Sequence, residues 1–188
     1  MKRLIGNFEN YYQAERLGSY ENELLAKMGK TKIDVPLTNL IYEQGLNLRV
    51  VDFGGGLGEH YYSVNWRVKE WIIVETQTKV NAGVGNSILK FTTIIPKDAD
   101  IVLCSGALQY VPDWRKSLIQ LLQTGAKLFI FRRMAFGREK ITLQKSWLSE
   151  NGGEGGVKDR LIFYPHTTIP KREFMEYIKG TNYIINKG

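Results

Sequence analysis

The sequence from Leu48 to Tyr61 reads LRVVDFGGGLGEHY. A short apolar run ends in Asp52 and is followed by a turn that is dense in glycine. Because glycine accepts positive φ and lets the backbone approach a ligand closely, such a turn can hold the polar groups of a cofactor. We therefore predict a strand over residues 48–52, a helix over residues 58–65, and a nucleotide-like cofactor at the turn between them.

Strands and helices alternate beyond this turn, as hydrophobic periodicity indicates. The strands are predicted at residues 70–75, 88–92, 99–104 and 127–131, with a short helical turn at residues 79–84 and a helix at residues 113–122. The apolar runs are continuous rather than alternating, which is typical of parallel strands that are buried on both faces. The predicted fold class is α/β, with a Rossmann-like, doubly wound and mostly parallel sheet and helices on both faces, in three α/β/α layers. Ligands of such sheets bind at the carboxyl ends of the strands, where the glycine turn lies.

The N-terminal segment, residues 1–46, is interpreted as helical because its apolar residues recur at nearly helical spacing. A second helix is predicted to begin with Asp34 as its N-cap and Pro36 in its first turn, and to end near Gly45. We expect these helices to pack on the sheet edge or to cover a cofactor cleft.

The C-terminal segment, residues 134–188, is interpreted as the substrate side of the molecule. It contains a glycine-rich loop, and then a strand, a helix and a strand are predicted at residues 160–164, 170–179 and 182–186. The sequence shows no internal repeat and no domain boundary. We therefore predict a single domain over residues 1–188, with a cofactor-binding core at residues 47–133.

Composition limits the function classes. The 188 residues carry a net charge of +7, which permits an acidic partner such as nucleic acid, although the lysines and arginines are scattered. No apolar run approaches the ~20 residues of a membrane span and the N-terminus lacks the pattern of a signal peptide, so we expect a cytoplasmic protein. The single cysteine, Cys104, and the two histidines, His60 and His166, have no metal-ligand spacing, so no metal site is expected.

Two common nucleotide-binding motifs are absent from the glycine turn. The dinucleotide fingerprint Gly-x-Gly-x-x-Gly fails because Glu59 stands where the third glycine belongs. The Gly-Lys-Ser/Thr ending of a phosphate-binding P-loop does not occur either. The pattern that remains is Asp-x-Gly-x-Gly-x-Gly, from Asp52 to Gly58.

This pattern resembles motif I of the class I, Rossmann-like S-adenosylmethionine-dependent methyltransferases. Glu75 matches the acid that the family places on the ribose hydroxyls at the end of the second strand. The segment IVLCSGALQYVPD, residues 101–113, resembles the family's fourth strand with its following turn, and LLQTGAKLFI, residues 121–130, resembles the next helix, glycine turn and strand. The similarity covers residues 48–132. The run DFGGGLG is also similar to that of a group of bacterial methyltransferases found near surface-polysaccharide genes.

The resemblance implies S-adenosylmethionine as the cofactor, S-adenosylhomocysteine as the product, and a sheet of about six or seven strands. The implied cofactor-binding residues are Asp52, Gly54, Gly55, Gly56, Gly58, Glu75, Thr92, Ser105 and Gly106. Thr92 is included because Phe91-Thr92-Thr93 stands where many members carry an acid that contacts adenine. The family's sheet usually ends in an antiparallel hairpin, so either residues 160–164 supply the missing strand or the C-terminal part is shortened.

The predicted substrate-binding residues are Gln109, Arg132 and Arg133. Gln109 follows the strand at residues 99–104, and the two arginines follow the strand at residues 127–131, at the same face of the sheet. No residue is an assured catalytic base, and His60 is the candidate. The predicted function is methyl transfer to a small molecule or a glycan-type acceptor, since the Asn/Asp-Pro-Pro-Tyr/Phe motif of adenine N6 enzymes is absent. Two alternatives remain: an RNA methyltransferase, suggested by the positive charge, and a non-catalytic module that binds S-adenosylmethionine or a nucleotide.

Overall fold

The computed structural model describes residues 3–21, 23–27, 35–64, 67–151 and 160–186. Within these residues the chain forms nine strands, six α-helices and several short 3₁₀ turns. In chain order they are β1 Arg3–Phe8, α1 Tyr11–Glu15, α2 Glu23–Ala26, α3 Val35–Tyr42, β2 Leu48–Phe53, β3 Val68–Val74, α4 Gln77–Ala82, β4 Leu89–Thr92, β5 Ile101–Ser105, α5 Trp114–Leu122, β6 Leu128–Arg132, β7 Lys140–Trp147, β8 Leu161–Thr168, α6 Lys171–Ile178 and β9 Tyr183–Asn186.

The larger sheet has the strand order β4-β3-β2-β5-β6-β9 among the described residues, and every neighbouring pair is parallel. The chain moves outward from β2 through β3 to β4, then returns to the other side of β2 with β5. The topological switch point therefore lies between β2 and β5, where doubly wound sheets bind their ligands. The predicted Rossmann-like α/β fold is confirmed.

Helices cover both faces of this sheet. On one face, α5 and α6 bury Trp114, Leu118 and Phe174 against Phe131. On the other face, α3 contributes Leu37 and Ile41 to a second apolar cluster with Trp71. The sheet residues are buried on both sides because their apolar runs are continuous, which fits the predicted three-layer arrangement.

The predicted helix over residues 58–65 is wrong. The described residues there form consecutive turns and then one 3₁₀ turn at Tyr61–Ser63, while residues 65 and 66 lie outside the described part. Gly54, Gly56 and Gly58 have φ values of +70°, +62° and +100°, which no right-handed helix accommodates. The backbone N–H groups of this turn are consequently presented by a loop rather than by a helix N-terminus.

A second, smaller sheet has the antiparallel order β1-β7-β8. The helical interpretation of the N-terminal segment is therefore wrong for its first residues, since β1 pairs with β7 across more than 130 positions of sequence. Residues 160–164 belong largely to β8, so they do not supply a strand to the larger sheet. The predicted Asp34 cap and residues 152–156 of the glycine-rich loop lie outside the described residues.

The C-terminal helix and strand were predicted nearly in place. α6 spans Lys171–Ile178, and β9 pairs in parallel with β6 at the sheet edge. No antiparallel hairpin follows within the described residues. None of the helices that the structure describes is long and apolar enough to cross a membrane.

Candidate functional site

A cavity of about 610 Å³ opens at the carboxyl ends of the central strands. Gly54, Glu75 and Gly106, which follow β2, β3 and β5, form part of its wall. The loop at residues 93–97 and the polar side of α5 form another part of it. The volume lies within the range of about 300–1,000 Å³ that is typical of small-molecule and cofactor sites.

Glu75 joins the ends of two adjacent strands. Its carboxylate accepts a hydrogen bond from the backbone N–H of Gly56 at 3.2 Å and another from Thr76 at 3.0 Å. Burial raises the pKa of this carboxyl, while the two N–H groups and the nearby Lys79 act in the opposite direction. The acid is therefore fixed against the glycine turn, at the cavity wall.

Lys79 is a buried cation behind this acid, only 6% exposed on α4. Burial lowers the pKa of its ammonium group, while the carboxylates of Glu75 and Glu59 raise it. The two acids thus share a buried positive neighbour, which sequence reasoning did not find because a lysine in a polar helix looks like a surface residue.

Asp52 lies beneath the glycine turn rather than in the cavity wall. Its side chain is fully buried, and Oδ2 accepts from Trp71 Nε1 at 3.2 Å and contacts His60 Nδ1 at 3.3 Å. A β-carbon on Gly55 would lie 2.5 Å from this carboxylate. Gly55 must therefore lack a side chain so that the turn can close over Asp52.

The contact with Asp52 orients His60. If Nδ1 carries the proton that is donated to Asp52, Nε2 of the neutral ring is the acceptor. Burial lowers the pKa of the imidazole, but the charge and hydrogen bond of Asp52 raise it more, so the pKa lies above its ordinary value. Arg133 and Glu59 are the other charged groups that act on it.

Steric contacts explain the remaining glycines of the turn. A β-carbon on Gly54 would come within 2.3 Å of Ala107 Cβ, and one on Gly56 within 2.5 Å of the Glu59 carboxylate. There is more room at Gly58, where a β-carbon would lie 3.3 Å from the nearest atom, in the side chain of Leu89. Gly54 therefore determines how closely β2 and the segment after β5 approach each other.

Ser105, Gly106, Gln109 and Arg133 come together after β5 and β6. Arg133 Nε donates to the Ser105 hydroxyl and Nη2 donates to the Ser105 carbonyl, both at 3.1 Å. Gln109 Nε2 donates to the Arg133 carbonyl at 3.2 Å. The structure thus brings these four predicted residues into one cluster, at the edge of the cavity that Gly106 lines.

Two more of the predicted site residues, Arg132 and Thr92, do not line the cavity. Arg132 is a buried residue of β6, in register with Ser105 and Asn186. The hydroxyl of Thr92 accepts from the N–H of Ile94 at 3.0 Å and so closes a turn, and the neighbouring Thr93, not Thr92, lines the cavity. Contacts of Arg132 and Thr92 with substrate or cofactor stay predictions.

Tyrosines that sequence reasoning did not assign to the site form the cavity's outer wall. Tyr20 and Tyr110 line the cavity and stack on each other at a centroid distance of 5.3 Å. Tyr164 from β8 lies edge-on to both rings. Tyr110 was in the segment that resembles the methyltransferase family, but Tyr20 showed only helical spacing, which gave no signal of this role.

Cys104 belongs to the core. It is fully buried in β5, and burial raises the pKa of its thiol to about 12. Within the described ranges, no group of three or more His, Cys, Asp or Glu side chains is arranged to hold a metal ion.

Comparison with known proteins defines the fold further. No protein-family model matches the chain, and no curated protein matches it. Among solved structures, the S-adenosylmethionine-bound CalS10 is an amino pentose methyltransferase from Micromonospora echinaspora involved in calicheamicin biosynthesis. It matches with a TM-score of 0.54 and 11% identity over 93% of this chain and 89% of that chain.

Two further solved structures are similar. The sugar N-methyltransferase KedS8 from Streptoalloteichus sp. gives a TM-score of 0.51 with 12% identity, over 94% of this chain and 86% of that one. An S-adenosylmethionine-dependent methyltransferase from Clostridium acetobutylicum gives a TM-score of 0.50 with 12% identity, over 79% of this chain and 80% of that chain. At these identities the likeness establishes a shared fold.

Proposed function

We propose that this protein is an S-adenosylmethionine-dependent methyltransferase that acts on a small-molecule or glycan-type acceptor. The observation that carries the proposal is the contact between Glu75 and Gly56 at the cavity wall. It joins the acid after β3 to the glycine turn after β2, beside the topological switch point. A carboxylate there can accept from both hydroxyls of a ribose, as the acid of dinucleotide folds does.

The residues present fit a nucleoside cofactor with an amino-acid end. Glu75 supplies the acid for the ribose, and the wall at residues 93–97 includes the apolar side chains of Ile94 and Ile95 for an adenine ring. The carboxyl end of β2 offers close backbone approach at Gly54. Among the described residues, the glycine turn after β2 leads into consecutive turns rather than into a helix N-terminus, so this turn favours a methionine moiety over a pyrophosphate.

S-adenosylmethionine, when bound, supplies a methyl group on a sulfonium that is already electrophilic. The protein's part is to orient the acceptor and to exclude water. Tyr20 and Tyr110 shield the cavity on its outer side. His60, oriented by Asp52, is the candidate to remove a proton from the acceptor through Nε2.

The acceptor class rests on two supports. The solved neighbours include an amino pentose methyltransferase and a sugar N-methyltransferase, as their names state. The DFGGGLG run is similar to that of bacterial methyltransferases found near surface-polysaccharide genes, which suggests a sugar acceptor as well. Aromatic rings such as those of Tyr20 and Tyr110 offer the apolar faces on which a sugar ring can pack.

Calorimetric titration with S-adenosylhomocysteine tests the cofactor assignment. We expect Glu75→Ala to weaken binding by about 30-fold or more, since two charge-assisted hydrogen bonds to ribose are lost. Glu70→Ala is the matched control, because Glu70 lies near the other end of the same strand and pairs there with Arg49 and Lys90. Absence of binding by the wild-type protein, or equal affinities of both variants, contradicts the assignment.

A transfer assay separates an enzyme from a binding module. The protein is incubated with S-adenosylmethionine labelled in its methyl group and with amino sugars, neutral sugars or RNA as acceptors. We expect label on a sugar. Cofactor binding without transfer to any acceptor would favour a non-catalytic module, and transfer to RNA alone would favour the nucleic-acid alternative.

A further inference from the structure

Glu75 is the only acid among the described residues that line the cavity. Its strength as a partner for ribose hydroxyls depends on its charge, because hydrogen bonds to an ionised carboxylate are about twice as strong as bonds between neutral groups. Burial works against that charge and raises the pKa of Glu75. The N–H groups of Gly56 and Thr76 supply part of the compensation, and the positive charge of Lys79 acts in the same direction.

Lys79 lies one helical turn beyond this acid. It follows Glu75 by four residues and is the third residue of α4, whose first turn is closed by the hydrogen bond from the Val80 N–H to the Thr76 carbonyl. The residue is only 6% exposed. Burying an ammonium group is costly unless opposite charges compensate, so the position of Lys79 depends on the acids around it.

Glu59 joins the same cluster through the glycine turn. A β-carbon on Gly56 would lie 2.5 Å from the Glu59 carboxylate, while the Gly56 N–H donates to Glu75. The two acids therefore lie close to the same glycine residue. Neighbouring carboxylates disfavour each other's ionised form, and a cation beside both offsets that repulsion. Lys79 fits this role, because the charges of Glu75 and Glu59 both act on its ammonium group.

Two further titratable groups surround the acids. Asp52 acts on Glu75 in the same direction as burial and so favours the neutral carboxyl group. Burial and the charges of Glu75 and Glu59 raise the pKa of Tyr20, so its phenol keeps its proton. Neither group supplies positive charge to the cluster.

The elements packed against α4 contribute no competing charge. α2 contacts α4, and its acid Glu23 is exposed. β4 contacts α4 as well, and its Lys90 is paired with Glu70. Among the described groups that act on Glu75, Lys79 is therefore the cation that favours the ionised carboxylate.

We propose that Lys79 is a positioning residue for Glu75, which it keeps ionised at the cavity wall to accept from the ribose hydroxyls of the cofactor. Lys79 does not line the cavity and acts through Glu75 rather than on the ligand. The inference rests on the proposed function, because the ribose belongs to S-adenosylmethionine or its product. It adds a residue outside the glycine turn on which cofactor affinity depends.

Calorimetric titration with S-adenosylhomocysteine at about pH 6 and about pH 8 tests this role. Without the positive charge of Lys79, Glu75 takes up its proton at a higher pH, so affinity is lost earlier as the pH falls. We expect Lys79→Met to weaken binding by about 10-fold at about pH 6 and by less than about threefold at about pH 8. Lys79→Gln, which is neutral but polar, should show the same pattern. Lys79→Arg keeps the charge and should restore the wild-type pH dependence.

Lys116→Met is the matched control. Lys116 is also the third residue of its helix, α5, but it is exposed and lies outside the cavity wall. This variant should match the wild-type protein at both pH values. In a Glu75→Gln background, whose amide is neutral at both pH values, Lys79→Met should have no larger effect at the lower pH than at the higher one.

Thermal unfolding of each variant shows whether it is folded. If the wild-type protein binds S-adenosylhomocysteine and Lys79→Met weakens it equally at both pH values, or not at all, the positioning role is overturned while the cofactor assignment stands. A pH-dependent loss that persists in the Glu75→Gln background also overturns it. Absence of binding by the wild-type protein contradicts the proposed function itself.

Discussion

The two sheets of this protein contribute different parts of the same cavity. The parallel sheet supplies its floor through the strand ends at Gly54, Glu75 and Gly106. The antiparallel sheet supports its outer wall, where Tyr164 of β8 packs against Tyr20 and Tyr110. The residues of the floor directly follow strands of the parallel sheet. The outer wall instead combines Tyr20, Tyr110 and Tyr164, which are far apart in the sequence.

This difference indicates a division of labour. The floor carries the acid Glu75 and Gly54 of the glycine turn, which fit a cofactor. The outer wall is held by uncharged hydrogen bonds, with Gln144 Nε2 donating to the Tyr164 hydroxyl at 2.8 Å and Tyr110 donating to Gln144 Oε1 at 2.9 Å. We expect substitutions in the floor to change cofactor affinity and substitutions behind the outer wall to change stability.

The largest effect is expected at Gly54. Gly54→Ala places a methyl group 2.3 Å from Ala107 Cβ at a φ of +70°, so the turn must move away from β5. We expect S-adenosylhomocysteine affinity, measured by calorimetry, to fall by about 100-fold, or about 2.7 kcal/mol. Gly125→Ala is the control, because its φ of +77° is similar but its β-carbon would have no atom of the described residues within 4 Å, apart from its chain neighbours. If both variants lost the same affinity for S-adenosylhomocysteine, the close contact with Ala107 would not be the cause of the loss.

The next effect concerns the support of the outer wall. Tyr164→Phe removes a hydroxyl that contacts Gln144, Ser146 and Asn151. Because buried polar groups lose a partner, we expect the free energy of unfolding in urea to fall by about 1–2 kcal/mol. S-adenosylhomocysteine affinity should stay within about twofold.

Tyr12→Phe is the control for this variant, since Tyr12 is 63% exposed. A loss of cofactor affinity in Tyr164→Phe that exceeds the loss of stability would contradict the division between the two sheets.

The same division explains what the sequence could reveal. Strands of the parallel sheet were predictable because burial on both faces requires continuous apolar runs such as residues 101–104. β7 was not predicted because five of the eight residues in KITLQKSW are polar, and Thr142, Gln144 and Ser146 are buried by pairing and hydrogen bonds rather than by hydrophobicity. β1 could not be paired from sequence, since its partner lies more than 130 residues away.

The site was predictable to a similar extent. Asp52, the glycines and Glu75 follow a local pattern that resembles a known family, and the structure gathers them at one sheet edge. Gln109 and Arg133 are joined by a hydrogen bond between the segments that follow β5 and β6. They were predicted as substrate-binding residues because of their positions near the strand ends, and sequence position alone does not reveal such a contact.

The smallest effect is the pH dependence that His60 confers. Because the folded-state pKa of His60 is raised, its protonated form stabilises the fold below the ordinary pKa of 6.5, and this contribution is lost as pH rises through the folded-state value. We expect the difference in unfolding free energy between wild type and His60→Gln to decrease as pH rises from below 6.5 upward. Asp52, Arg133 and Glu59, the charged groups that act on the imidazole, are present in both proteins. A difference that grows with pH contradicts the assigned contact with Asp52.

The most direct measurement is a crystal structure of the protein with S-adenosylhomocysteine. We expect both ribose hydroxyls to lie within hydrogen-bond distance, about 2.7 Å, of the Glu75 carboxylate, with the methionine end over Gly54–Gly56. A ligand bound away from Glu75, or a cavity that stays empty at saturating ligand, would contradict the assignment of this site to S-adenosylmethionine.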